Sequence, residues 1–349
     1  MFLLENYNVA VLFCVITMLC WGSWANTQKL AGKTWRYELF YWDYVFGVVL
    51  ASLIFAFTLG SNGEYGRDFC TDLAQADPKS IFYAFSGGVV FNIANILLVA
   101  AIAIAGMSVA FPVGIGLALV LGVLLNYLDK SANAGNPALL FSGVGLVALA
   151  IILNAIAYRK MPGQQGNAGS KGLILSILCG VLMSMFYYLV ARSLSGVVQG
   201  DKILPLTLEN LKSGSLEVGK LTPYTGNMIF AIGILASNFV IMPILMKKPL
   251  TGSSVPLFAY FRGTLCDHLW GLIGGMIWAV GMTLNVIASG VASTAVAYGL
   301  GQGATLMSAI WGVFIWKEFK GAPKGTGKIL AFMFLFFIVG LALIIKARM

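Results

Sequence analysis

The chain has 349 residues, of which 59% are hydrophobic and only 10% are charged. Because soluble domains average about a quarter charged residues, this composition predicts an integral membrane protein that crosses the lipid bilayer several times. The net charge of +9 does not indicate a nucleic-acid partner, because Lys and Arg stand singly or in pairs at the ends of apolar runs. The five cysteines form no CxxC pair, so we predict no metal site, no disulfide framework and no cofactor.

Ten apolar stretches are long enough to cross a bilayer, which requires about 20 mostly apolar residues. They lie near residues 9–31, 40–60, 80–104, 107–128, 137–158, 171–197, 223–246, 268–290, 291–316 and 328–347. A connector rich in Gly, Pro and Gln separates five stretches from the other five. We therefore expect an all-α membrane protein with ten transmembrane helices, divided into a first five-helix repeat at 1–158, a linker at 159–170 and a second five-helix repeat at 171–349.

The two halves share a sequence pattern. Residues 108–116 read SVAFPVGIG and residues 295–303 read AVAYGLGQG. A pair of glycines ending at Gly88 precedes the first segment, and a pair ending at Gly275 precedes the second at the same interval. One constant offset therefore relates the two copies. Because five is odd, the second half enters the membrane from the opposite side, and we predict inverted repeats. Inverted repeats allow one central site to face either side of the membrane in turn.

The distribution of Lys and Arg predicts the orientation. The connections after spans 1, 5, 7 and 9 carry most of these residues, and basic loops remain in the cytoplasm. We therefore expect both termini outside, although Lys346 and Arg348 favour the opposite orientation.

Neutral polar side chains within the predicted spans suggest what the protein binds. Polar groups in the middle of a bilayer are costly and are often functional. Amides both donate and accept hydrogen bonds, and aromatic faces cover sugar rings or planar heterocycles, so this set suits a small neutral polar solute. The candidate substrate-binding residues are Trp21, Trp24, Gln28, Asn92, Asn95, Tyr187, Asn238, Asn285, Tyr298 and Gln302. The alternative is structural, because Asn and Gln often link transmembrane helices and Trp often anchors their ends.

No acidic residue lies in the middle of a predicted span. An exporter of cationic drugs would need an acid within the membrane to exchange protons for drug, so multidrug export is the weaker hypothesis. Asp43 and Glu38, at the start of span 2, and His268, the only histidine, are the candidates for proton coupling. The alternatives are that Asp43 caps a helix and that His268 is an interfacial residue.

Spans 4 and 9 carry residues that allow bending or close packing. Proline removes a helical hydrogen bond, and glycine allows the backbones of two helices to approach each other. The hinge or packing candidates are Pro112, Gly114, Gly116, Gly299, Gly301 and Gly303.

Several short segments resemble the ureide permeases of the drug/metabolite transporter superfamily. The matches are Gly22-Ser23-Trp24, Tyr41, Asp43-Tyr44, GGVV at 87–90, Asn126-Tyr127-Leu128, Leu140-Phe141, GVG at 143–145, Tyr224-Thr225, Trp311-Gly312 and Glu318. The resemblance implies a ten-helix inverted-repeat transporter that takes up allantoin, uracil and related oxo-heterocycles with protons. Plant members have a long central loop with a Walker A-like motif, where this chain has only residues 159–170. Glucose/ribose and rhamnose porters of the superfamily are similar at low resolution.

The sequence therefore predicts a secondary active transporter that imports a small neutral polar solute by alternating access, with protons as partner. We expect a ureide, a nucleobase or a related oxo-heterocycle as substrate, and the membrane to be the inner membrane of a bacterium. The alternatives are a monosaccharide proton symporter, a drug or metabolite exporter, and a receptor without transport. An enzyme is not expected, because one histidine and peripheral acids form no catalytic group. A homodimer is a further expectation.

Overall fold

The computed structural model of the chain describes residues 1–31, 35–105, 110–128, 135–161, 170–249 and 253–348. Most of these residues are helical. The α-helices are α1 (Tyr7–Ser23), α2 (Asn26–Leu30), α3 (Tyr37–Phe57), α4 (Phe69–Gln75), α5 (Pro78–Ala105), α6 (Gly116–Leu128), α7 (Pro137–Arg159), α8 (Ser170–Ser193), α9 (Leu208–Ser213), α10 (Pro223–Lys247), α11 (Leu265–Ala292), α12 (Thr294–Gly301), α13 (Ala304–Ile310) and α14 (Thr326–Lys346). Most of the predicted linker, residues 162–169, lies outside the described residues, as does the start of the repeated pattern at 108–109.

Eight helices among the described residues are long and apolar enough to cross a membrane. They are α1 and α2 taken together, α3, α5, α7, α8, α10, α11 and α14. Each coincides with one of the predicted spans, and together they make the protein an integral, multi-pass membrane protein.

The predicted spans at 107–128 and 291–316 are shorter or interrupted. In the first, a π-helical turn at Phe111–Ile115 precedes α6; Pro112 has no backbone N–H to donate within that turn, and π-turns widen a helix locally. The second consists of α12, α13 and another π-helical turn at Trp311–Ile315. Ser293, with a positive φ of 77°, separates α12 from α11.

One close helix contact occurs twice. A Cβ on Gly47 of α3 would collide with the backbone oxygen of Leu272 in α11, and a Cβ on Gly233 of α10 would collide with the backbone oxygen of Phe85 in α5. Gly233 follows Gly47 by almost the same number of residues as Leu272 follows Phe85. Both separations match the offset of the repeated sequence pattern to within one residue. That offset therefore also relates two helix pairs in space, α3 with α11 and α10 with α5.

The connections between helices gather at two ends of the bundle. At the terminal end, the N-terminal residues bond to the 58–77 connection and to the 194–222 connection, as in Phe2 N to Leu59 O at 2.7 Å and Leu208 N to Leu4 O at 3.4 Å. At the opposite end, residues 24–36 bond to the 253–264 and 316–325 connections.

The 194–222 connection has its own structure. It contains α9 and a small antiparallel sheet in the order β2-β1-β3, with β1 at Val197–Gln199, β2 at Lys202–Leu204 and β3 at Ser215–Leu216. This sheet is the one departure from an all-α structure among the described residues.

Candidate functional site

Four aromatic rings form a row between the start of α3 and a break in the first span. The spacing of Tyr37, Tyr41 and Tyr44 places all three on one face of α3, and each neighbouring pair has ring centroids 5.2 Å apart. The row continues to Trp24, which lies between α1 and α2 with its ring 4.6 Å from that of Tyr44. Trp24 was predicted to contact substrate, and this row is where the structure places it.

A hydrogen-bond network joins the row to two of the predicted amides. The Tyr41 hydroxyl donates to Asn92 Oδ1 at 2.8 Å and accepts from Asn95 Nδ2 at 3.1 Å. Asn92 Nδ2 in turn donates to Ser237 Oγ at 3.0 Å. All four side chains are buried, so α3, α5 and α10 share a buried polar cluster. Sequence analysis missed Tyr41 and Ser237 as site residues, although the tyrosine spacing on α3 was a usable signal.

Some buried polar groups beside this network have no hydrogen-bond partner among the described residues. Both amide atoms of Asn238, next in the chain to Ser237, are unpaired, as are the hydroxyls of Tyr37 and Tyr44. An unpaired buried donor or acceptor costs about 1–3 kcal/mol. A polar solute or ordered water would satisfy such groups. Unpaired buried amide atoms also occur elsewhere among the described residues, at Asn227 and Asn285, so it is their combination with the aromatic row and the Tyr41 network that makes this region the candidate binding site.

Trp21 lies in a separate aromatic cluster. Its Nε1 donates to Trp278 O at 3.2 Å, and the two rings stack with centroids 5.8 Å apart. Trp278 also packs on Phe91 and Phe230, with centroids at 4.5 and 5.9 Å. Trp21 is therefore a partly buried residue of α1 that packs on the aromatic cluster of α5, α10 and α11.

Gln28 and Gln302 lie where helices are interrupted. Gln28 is half-buried in the short helix α2, and Gln302 is buried between α12 and α13. The backbone N–H of Gln302 donates to Tyr298 O at 3.0 Å, and its backbone oxygen accepts from Thr305 Oγ1 at 2.9 Å.

Tyr187, Asn285 and Tyr298 make hydrogen bonds that link helices in this conformation, while Asn285 Oδ1 has no partner among the described residues. The Tyr298 hydroxyl lies 3.2 Å from the backbone oxygens of both Ala118 and Met183. The Tyr187 hydroxyl donates to Asn285 O at 3.5 Å, and Asn285 Nδ2 donates to Ala297 O at 2.9 Å. These contacts agree with the structural alternative for transmembrane polar residues.

Asp43 and His268, two of the predicted proton-coupling residues, contact each other. His268 Nδ1 lies 3.0 and 3.1 Å from the two carboxylate oxygens of Asp43, which is buried. The Tyr260 hydroxyl donates to Asp43 Oδ1 at 2.5 Å. Burial and then the bond to Asp43 raise the pKa of Tyr260 well above its ordinary value, so this hydroxyl remains a donor. Asp267, the sequence neighbour of His268, instead caps α11 through Thr264.

Glu38, the third predicted proton-coupling residue, forms an ion pair with Arg36. The guanidinium donates through two nitrogens to the two carboxylate oxygens, at 2.7 and 3.1 Å. Arg36 also donates to the backbone oxygen of Ser253 at 2.5 Å. This pair ties the start of α3 to the 253–264 connection.

The predicted hinge glycines have different surroundings. A Cβ on Gly301 would lie 2.8 Å from the Trp21 ring, one on Gly303 would collide with Met18, and one on Gly299 would lie 3.3 Å from Val123. These three allow close packing. In the first half, Gly114 and Pro112 belong to the π-helical turn, and a Cβ on Gly114 would make only ordinary contacts, the nearest at 3.5 Å.

Gly116 departs from the packing explanation. A Cβ there would meet no described atom within 4 Å. Close helix approach therefore does not account for this glycine, which begins α6 just after the π-helical turn.

A cavity of about 120 Å³ opens at the terminal end of the bundle. It is lined by residues of α8, α10, α11 and α12 and of the 194–206 segment, together with Arg348, and none of the ten predicted substrate-binding residues lines it. The Tyr41 network lies elsewhere, on the part of α3 that begins at the opposite end.

Comparisons with known proteins give a consistent result. The ureide permease family model matches residues 40–165 and 164–347. Ureide permease 1 and ureide permease 4 of Arabidopsis thaliana are 23% and 24% identical to this chain, each covering 99% of both sequences. A probable ureide permease A3 of Vigna unguiculata is 31% identical over 48% of the chain and 45% of its own length.

A solved structure shares the fold over almost the full length of both chains. It covers 98% of this chain and 99% of its own, with a TM-score of 0.58 and 14% sequence identity. The matches of the family model together extend over most of the sequence. The protein is therefore a transporter and not an enzyme, and the chain belongs to the ureide permease family.

Proposed function

We propose that this transporter imports a small neutral oxo-heterocycle, such as a ureide or a nucleobase, by alternating access and together with protons. The observation that carries the proposal is the Tyr41–Asn92–Asn95 network, which shares Tyr41 with the aromatic row. The names of the curated relatives support a ureide as the substrate class.

The chemistry of this region suits such a solute. Nucleobases are flat, cyclic ureides contain a nearly flat ring, and both present N–H and C=O groups in alternation. Amides and hydroxyls both donate and accept, and can match either group. The Trp24 and Tyr44 rings would cover the face of the ring system. Because the network carries no formal charge, it favours a neutral solute over an ion.

The ten residues predicted from the sequence divide into three groups under this proposal. Trp24, Asn92, Asn95 and Asn238 form the solute site with Tyr41. Gln28, Trp21 and Gln302, which lie at or near helix breaks, contact the solute in another conformation of the cycle. Tyr187, Asn285 and Tyr298 link helices in the present conformation and release these bonds when the halves move.

Ten crossings arranged as two inverted repeats remain part of the proposal, with halves at 1–158 and 171–349. The doubled glycine contact supports it, because the contact of one helix pair recurs in another pair at the offset of the sequence repeat. Interrupted helices at 107–128 and 291–316 then provide the hinges, since broken helices in inverted repeats often surround transport sites. Termini outside, a bacterial inner membrane and a homodimer are further predictions, tested by accessibility labelling, by localisation and by light scattering.

Protons are the proposed coupling ion, with Asp43, His268 and Glu38 as candidates. All three lie at the end of the bundle where α3 begins. An inward proton gradient would then drive accumulation of the neutral solute.

Uptake into proteoliposomes tests the proposal. Purified protein is reconstituted, and labelled allantoin, uracil and ribose are offered with and without an inward proton gradient. We expect saturable uptake of allantoin or uracil that the gradient stimulates. Stimulated uptake of ribose alone would favour the monosaccharide alternative, and no uptake of any of the three would refute the proposed substrate class.

A further inference from the structure

The Asp43–His268 pair occupies one copy of a contact that the duplication provides twice. In the contact between α3 and α11, Asp43 stands one helical turn before Gly47, and His268 stands one turn before Leu272. The same steps back from Gly233 and Phe85, in the contact between α10 and α5, lead to Ile229 and Ile81.

The second copy of the contact is apolar. Ile229 and Ile81 belong to one cluster with Ala84 and Leu221. The same helix contact is therefore polar where α3 meets α11 and apolar where α10 meets α5.

The small residue behind each pair follows the same correspondence. A Cβ on Gly271 would collide with the Cβ of Asp43. Gly271 directly precedes Leu272, and its equivalent is Ala84, which directly precedes Phe85 and is fully buried in the apolar cluster. The polar copy thus has a glycine beneath the carboxylate where the apolar copy has an alanine beneath an isoleucine.

The apolar copy indicates what the fold itself requires. Two isoleucines pack this helix contact without any buried charge. A buried carboxylate, by contrast, loses its hydration and is stable only if its partners compensate. Packing of this helix contact alone therefore does not require the polar pair, whereas a role for its charge and its proton would.

We propose that the Asp43–His268 pair is the site that binds the co-transported proton, an assignment that rests on the proposed function. With Nδ1–H donating to Asp43, the free Nε2 of His268 accepts the proton. The imidazolium and the carboxylate then form a neutral pair, and release of that proton returns the site to a single negative charge. No bond other than N–H forms or breaks.

The contacts of Glu38 exclude it from this role. Its carboxylate is already balanced by the Arg36 guanidinium, which remains protonated at all physiological pH values. Among the described contacts, Asp43 forms no ion pair with Lys or Arg, and its partner is His268. Its charge is balanced only when His268 takes up a proton.

The groups that surround the pair come from four elements. Tyr260 of the 253–264 connection donates to Asp43, the Trp35 ring lies edge-on to His268 at 5.0 Å, and Gly271 of α11 lies beneath the carboxylate. The remaining charged side chains on these elements are Arg36 and Glu38, bonded to each other, Asp267, bonded to Thr264, and Arg262.

The position of Asp43 on α3 provides a route to the solute. Asp43 lies two residues after Tyr41 on the same helix, facing α11 while Tyr41 faces α5. Protonation of His268 changes the attraction between Asp43 on α3 and His268 on α11, and it also changes the bond from Tyr260 to Asp43. Movement of this end of α3 changes the distance from Tyr41 to Asn92 and Asn95, which couples the proton to the solute.

Two transport assays distinguish the role of the proton site from that of the solute site. Accumulation driven by a proton gradient needs the proton step, whereas exchange of labelled for unlabelled solute at equal pH does not. The test variants are Asp43→Asn, His268→Gln and the double variant Asp43→Ile with His268→Ile, which copies the apolar contact. The matched control is Asp267→Asn, which changes the acid next to His268 but outside the pair.

We expect the wild-type protein and the control to accumulate solute at least several-fold in a gradient. All test variants should accumulate none while exchanging at no less than half the wild-type rate. Full accumulation by the variants would overturn the proton assignment alone. Loss of exchange in correctly folded variants would also overturn it, in favour of a gating role. Absence of both modes in the wild-type protein would refute the proposed function.

The single histidine offers a second measurement that does not depend on transport. In protein labelled with ¹⁵N-histidine, His268 gives the only imidazole signals. We expect Asp43→Asn to change the chemical shift of His268 Nδ1, because this nitrogen no longer faces a charged carboxylate. An unchanged Nδ1 signal would contradict the pairing on which the assignment depends.

Discussion

The Tyr41 hydroxyl is the centre of the proposed solute site, and Tyr41→Phe removes it while keeping the ring. The substitution leaves Asn92 Oδ1 and Asn95 Nδ2 without the partners that they have at 2.8 and 3.1 Å. Both side chains are buried, at 0% and 6% exposure, so water does not readily replace the lost hydroxyl.

The expected magnitudes follow from these two bonds. An unpaired buried polar group costs about 1–3 kcal/mol, so the folded protein should lose up to roughly 2–6 kcal/mol if both amides remain unpaired. The effect on the solute is separate. Loss of one neutral hydrogen bond of about 0.5–1.5 kcal/mol weakens binding by about 2- to 10-fold.

The assay compares Tyr41→Phe with Tyr224→Phe by thermal unfolding in detergent and by the KM of uptake. The Tyr224 hydroxyl is also largely buried, but it donates to Phe2 O at the terminal end, at 2.9 Å. We expect both variants to lower the melting temperature and only Tyr41→Phe to raise the KM. An unchanged KM in folded Tyr41→Phe protein, or an equal rise in both, would refute the location of the solute site.

Three further predictions concern packing and charge. Gly275→Ala should destabilise the protein by about 1–3 kcal/mol, because the new Cβ collides with the α3 backbone; an unchanged melting temperature would contradict this. Gly116→Ala should be neutral or stabilise by about 0.5–1 kcal/mol, since its Cβ meets no described atom, and a lower melting temperature would be inconsistent with open space there. Burial opposes ionisation of Glu318, yet bonds from Lys29 and Tyr158 hold its pKa below its ordinary value. The stabilisation is therefore present above about pH 4 and lost as the pH falls through the lower folded pKa. Wild-type melting should fall more steeply in acid than that of Glu318→Gln, and parallel curves would argue against the ion pair.

Much of the fold could be read from hydropathy alone. Eight of the ten apolar stretches are long helices, because an apolar run of about 20 residues has few alternatives in a bilayer. The stretches around Pro112 and Gln302 were less predictable. Their hydropathy resembles that of the others. The course of their backbone, however, depends on Pro112, on a positive φ at Ser293 and on the groups of neighbouring helices that bond to the backbone atoms left unpaired.

The candidate site was only partly predictable for a related reason. The types and spacing of amides in apolar helices made Asn92 and Asn95 candidates, since neutral polar groups are unusual in such helices. Nothing in the sequence distinguished them from Tyr187 or Asn285, whose polar groups link helices here. The difference depends on which backbone carbonyl lies opposite, and that is a property of the packed bundle.

The sequence by itself determined that this is a membrane protein with a repeated glycine pattern, because composition, apolar length and short repeats are local properties of the chain. Only the tertiary structure joined Asp43 to His268, which are 225 residues apart, and Tyr41 to two amides of another helix. Interactions between side chains fall off over a few ångströms, so partners from distant segments are decided by how helices pack and not by their order in the chain.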